Sequence, residues 1–128
     1  MPGQRGATLL EVLVATMLLA VAAAMVFTAF GVSLRSAALA DGLNRAVGLA
    51  EETLAVLTAG PCRDPAMVAD PARLPPVPPR YRREVLVRPL PGERRRAVTV
   101  TVRWTQAGRS RLVTLRTVRT LSRLCEAG

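Results

Sequence analysis

The chain has 128 residues, half of them hydrophobic but only 3% aromatic, and a net charge of +9. Every basic residue is Arg and His is absent, which removes the commonest acid–base catalyst and metal ligand. One compact domain plus one membrane segment fits this length, and its core has to be built from Val, Leu and Ala.

Met1 to Gly6 form a short basic leader that ends in glycine. Ala7 to Ser33 then run apolar with a single ionisable group, Glu11. The segment is long enough to span a bilayer, and a carboxylate inside it is costly. An ordinary secretory signal is cleaved after its apolar region, and Ala20 to Ala24 could supply such a site. The only short polar leader, however, precedes the apolar run. A plain single-pass anchor accounts for the length but leaves Glu11 unexplained, unless its side chain snorkels to the interface.

Gly6-Ala7-Thr8-Leu9-Leu10-Glu11-Val12-Leu13-Val14-Ala15 resembles the N-terminal signature of type IV pilins and type II secretion pseudopilins. The resemblance implies that a prepilin peptidase cuts after Gly6 on the cytoplasmic side and methylates the new N-terminus at Ala7. It makes Thr8 the second mature residue and Glu11 the fifth. Glu11, with Thr8 beside it, becomes the assembly contact: its carboxylate would pair with the ammonium of Ala7 on a neighbouring subunit. In hydrocarbon such a pair is far stronger than at an exposed surface. Two positions depart from the pattern. The usual first mature residue is Phe, and Thr28 stands where major pilins often carry a kinking proline.

No proline occurs between Gly3 and Gly60, which predicts one continuous helix from about Thr8 to Ala59. Leu39, Leu43, Ala46, Val47, Ala50, Leu54 and Leu57 recur at three- and four-residue steps and predict an amphipathic second half. Gly60-Pro61 is the stop signal. The stretch Ala50-Glu51-Glu52-Thr53-Leu54-Ala55 and the Thr8 start are similar to minor pseudopilins of the I type and to the pilus minor subunit called V.

Pro61 to Pro79 reads as a proline-rich loop with at most a turn of helix near Ala66 to Ala69. Three strands follow. Tyr81 to Pro89 alternates, with Val85 and Val87 on one face. Ala97 to Trp104 is the clearest strand, with Val98, Val100, Val102 and Trp104 on one side. Arg111 to Leu121 is the third, with Val113 and Leu115 inward. Pro91-Gly92-Glu93 and Gln106-Ala107-Gly108 supply the turns. The expected fold is α+β, a pilin-like lollipop in which a long helix packs on a small antiparallel sheet. Its segments are 1–6 (leader), 7–33 (transmembrane and assembly half of the helix), 34–60 (amphipathic half), 61–79 (loop) and 80–128 (sheet and tail). An even pair of cysteines beyond a membrane segment, Cys62 and Cys125, suggests a disulfide in an oxidising compartment.

Arginines crowd the sheet region, and Arg94, Arg95, Arg96, Arg103 and Arg116 form a candidate anion or DNA surface. Some pilin-like proteins take part in DNA uptake, but Trp104 and Tyr81 are the only large aromatics after the helix and make no stacking platform. A solvated arginine face is the simpler reading, and anionic lipid headgroups or an acidic partner subunit would explain the same charge. No nucleophile motif, phosphate loop or cofactor motif is present, so catalysis is not expected. The resemblance implies a structural subunit, minor rather than major, of a type IV pilus or a type II secretion pseudopilus. Its partners would be the prepilin peptidase, other pilin or pseudopilin subunits and the bacterial inner membrane, with its C-terminal domain in the periplasm or outside. A DNA-binding minor pilin of a competence system and a membrane-anchored protein that never assembles are the alternatives.

Overall fold

The computed structural model describes residues 2–60, 62–92 and 94–121, and of residues 2–7 the backbone alone. The elements in chain order are helix α1 (Pro2–Thr58), helix α2 (Pro65–Val68) and strands β1 (Tyr81–Pro89), β2 (Arg95–Gln106) and β3 (Arg109–Thr120). The chain divides into two units, Met1–Leu39 and Ala40–Gly128.

The first unit is helix alone. Its best 18-residue window has a mean hydropathy of 2.5, and none of that window is buried. The helix starts at Pro2 rather than near Thr8, because nothing in the leader breaks it and proline is tolerated in a first turn. At the other end it closes at Thr58, and Gly60 takes the left-handed conformation (φ 82°) that releases the chain.

The second unit is the α+β domain the sequence leads one to expect. Its sheet is a three-stranded antiparallel meander in the order β1-β2-β3. Val98, Val100 and Val102 are fully buried on the central strand, with Trp104 at one end. Val85 and Val87 from β1 and Val113 and Leu115 from β3 flank them. The helix segment from Ala40 onward covers this face.

The buried stripe of that segment is not the one periodicity selects. Gly42, Ala46, Ala50, Thr53 and Leu57 face the sheet, Leu39 and Leu43 are exposed, and Val47 and Leu54 sit half-buried on the flank. Hydrophobicity weighs Leu and Val heavily, whereas close approach of a helix to a sheet of valines favours small side chains. The stripe is therefore centred about one position away. At Gly42 the contact is tight: a Cβ there would lie 2.5 Å from Gln106 Oε1. Thr53 is buried without loss, donating its hydroxyl to the Leu49 carbonyl oxygen (2.7 Å).

The segment 62–79 is anchored on the core. Pro65, Val68 and Leu74 reach into the core. Asp64 caps α2, its Oδ1 accepting from the Ala66 amide (3.0 Å), and Asp70 Oδ1 accepts from the Ala72 amide (3.0 Å). Two glycine turns set the hairpins: Gly92 at φ 102° after β1, and the pair Ala107 (φ 52°) and Gly108 (φ 72°) between β2 and β3. Two consecutive positive φ angles are what a two-residue hairpin that follows the sheet twist requires.

Candidate assembly segment and the arginine surfaces

The residues singled out by the sequence fall into three places. Gly6 and Ala7 lie inside α1, so the helical backbone runs through the proposed junction. Thr8 and Glu11 are exposed one turn apart on the same helix face. From Leu9 to Leu34 every large apolar side chain of the first unit is exposed, Phe27 most of all at 76%. An apolar surface of that extent has to be covered by lipid or by other helices.

Polar groups in this segment are handled as an apolar surrounding demands. Thr16 donates its hydroxyl to the Leu13 carbonyl oxygen (2.9 Å) and Thr28 to that of Ala24 (2.8 Å), so neither needs an outside partner. Glu11 differs: its carboxylate has no ion-pair or hydrogen-bond partner among the described residues.

The arginines divide by role, and alternation along the strands carries the side each one faces but not the partner it meets. On the outer sheet face Arg82 stands opposite Arg103, Arg88 opposite Ala97, and Arg116 opposite Thr99. Arg103 and Arg116, like Arg95, are exposed. Arg96 instead points to the helix side and pairs with Asp64 (Nη2–Oδ2 3.6 Å), both largely shielded. Arg94 is half-buried beside the first hairpin. The five-residue surface expected from the sequence is thus split: Arg103 and Arg116 share a face, while Arg96 is spent on a structural ion pair.

Two further arginines are structural. Arg119 donates Nη1 to the Thr58 carbonyl oxygen and Nη2 to that of Gly60, closing the C-terminal end of α1 with a cation where the helix dipole favours one. Arg83 lies on the inner face of β1 and donates Nη1 to Thr53 Oγ1 (3.2 Å). Burial pushes its pKa down from the usual arginine range, and the nearby Glu52 charge pulls it partly back. The signal for both was parity: each sits at a strand position whose neighbours at i±2 are apolar or face the core.

Cys62 is exposed just past the helix end, and no cysteine among the described residues is free. Cys125 lies outside the described residues. Among the described residues there is no group of His, Cys, Asp and Glu that could hold a metal ion.

Residues 1–27 match the family model described as a prokaryotic N-terminal methylation motif. No curated protein and no solved structure matches the chain. The match supports a type IV pilin-like prepilin signal at the N-terminus and a pilin-like substrate of prepilin peptidase. Together with the apolar helix it fits a protein anchored in the inner membrane.

Proposed function

We propose that the chain is a minor pilin-like or pseudopilin subunit, a structural rather than a catalytic protein. Prepilin peptidase cuts after Gly6 and methylates Ala7. The assembly half of the helix, residues 7–33, then leaves the bilayer laterally into a type IV pilus or type II secretion pseudopilus. The observation that carries this reading is Glu11, without a partner among the described residues, on the exposed apolar segment of α1 and inside the stretch that matches the methylation motif. An ammonium at Ala7 of the next subunit would give that carboxylate its partner and would fix the stagger between helices. Thr8, one turn away, would lie in the same contact.

Intact mass of the protein recovered from membranes tests the processing: the expected species lacks residues 1–6 and carries one methyl group. Assembly is tested by Glu11→Ala. Removing one member of a pair buried in an apolar medium costs on the order of 3–5 kcal/mol. The variant should insert into the membrane normally yet be lost from sheared fibres. Wild-type incorporation by the variant would overturn the pairing and favour an anchor that does not assemble.

A further inference from the structure

The outer sheet face carries a charge arrangement that assembly through the helix does not use. Arg82 and Arg103 are direct cross-strand partners on that face. Like charges placed directly opposite each other destabilise a sheet. Both are exposed, as is Arg80 just before the strand, and none of the three has an ion-pair partner among the described residues. The nearest acidic residue on the same face, Glu84, stands opposite Thr101, one row further along, and forms no ion pair with them. These three arginines, with Pro79, Thr105 and Ser110, wall a hollow of about 360 Å³ at the end of the sheet. Three arginines and a serine lining one hollow match a phosphate group, which accepts several hydrogen bonds and offsets the repulsion.

The position of the hollow narrows the source of that phosphate. It adjoins the β2–β3 hairpin. The same end of the sheet touches the start of the second unit, where Tyr81 donates its hydroxyl to the Gly42 carbonyl oxygen (3.5 Å) and Gln106 packs against Gly42. Gly42 is nine residues after Ser33, the end of the apolar segment. Chain length alone therefore keeps Gly42 within about 32 Å of the end of that segment, at no more than about 3.6 Å per residue. Arg109 and Arg111, both exposed, add positive charge to the same end. A tether this short lets the basic end of the sheet reach the bilayer surface, where anionic headgroups attract it within about 10 Å.

We propose that the Arg80–Arg82–Arg103 hollow is a phosphate site filled by the headgroup of an anionic phospholipid while the subunit is still in the membrane. The proposal rests on the membrane-anchored reading. Occupancy would hold the domain against the bilayer, and leaving the membrane for a fibre would release the lipid.

The test uses the full-length protein in nanodiscs, followed by native mass spectrometry after gentle release. Discs contain phosphatidylcholine alone or a mixture with phosphatidylglycerol, and a third sample in detergent receives inorganic phosphate. The expected result is one retained phosphatidylglycerol per chain and no retained phosphatidylcholine. Arg82→Gln/Arg103→Gln should lower retention at least tenfold. Arg88→Gln/Arg116→Gln, which removes the same charge from the same face outside the hollow, should leave it unchanged. Equal loss in both double variants would reduce the effect to net charge and overturn the site. Retention of inorganic phosphate without phosphatidylglycerol would also overturn it, as would no retention of either. Because all four arginines are exposed, circular dichroism should show both variants folded. Failure of the chain to enter discs of any composition would sink the membrane anchor itself, whereas normal entry without lipid retention sinks only this proposal.

Discussion

At the scale of single residues, chemical type says less than the side of the strand on which a residue falls. Arg116 and Arg119 are three apart in β3, so one faces outward and the other reaches the end of α1. Replacing Arg119 by Ala leaves the Thr58 and Gly60 carbonyl oxygens without their charged donor. The expected loss is about 1.5–3 kcal/mol. Arg116→Ala should stay within about 0.5 kcal/mol, as exposed substitutions usually do. Chemical denaturation of the two variants side by side checks the contrast, and equal losses would contradict the capping role. The inward position of Arg119 could be read from its parity with Val113 and Leu115. Its two acceptors could not, because they are about 60 residues away in sequence. The same holds for Gly42, where the side-chain amide of Gln106 lies across the fold in the space a Cβ would take.

At the scale of elements, the three strands were legible because each carries a run of alternating residues, clearest in β2, where every second residue from Val98 to Trp104 is buried. The ends of β1 were legible too, but those of β2 and β3 were not, since pairing with neighbours extends both into charged residues that no pattern marks. The β2–β3 turn is the least comfortable joint. Ala107 holds a left-handed φ of 52°, a conformation that costs an L-residue with a Cβ roughly 1–2 kcal/mol. Ala107→Gly should therefore raise stability by about 0.5–1 kcal/mol, glycine's greater unfolded-state freedom taking back part of the gain. A thermal melt that falls instead would show that the hairpin does not set the register as described. The helix stripe was read with the right period but the wrong centre, and only the approach of the sheet decided which small residues it covers.

At the scale of the whole molecule, the two units face different physical problems. The first exposes its apolar surface and depends on an outside partner; the second closes a core of its own around Val98, Val100, Val102 and Leu57. We propose that a Cys62–Cys125 bridge ties the tail to the helix end. Closing a loop of that length would contribute about 2–4 kcal/mol, so reduction by a thiol reagent should lower the unfolding midpoint by several degrees and add two hydrogen atoms to the intact mass. An unchanged mass under reducing conditions would exclude the bridge. What the sequence determined unaided was whatever depends on local composition and spacing: the leader, the apolar span with its lone Glu11, one unbroken helix and three alternating strands. Those signals are local because bilayer thickness, helix pitch and strand pleat are fixed lengths that a linear pattern can match. Tertiary structure alone decided which arginines are spent inside the fold, which glycine lies under a distant glutamine, and which three cations share one hollow. Each of those depends on residues far apart in the chain arriving within a few ångströms of one another, and no spacing along one segment encodes that.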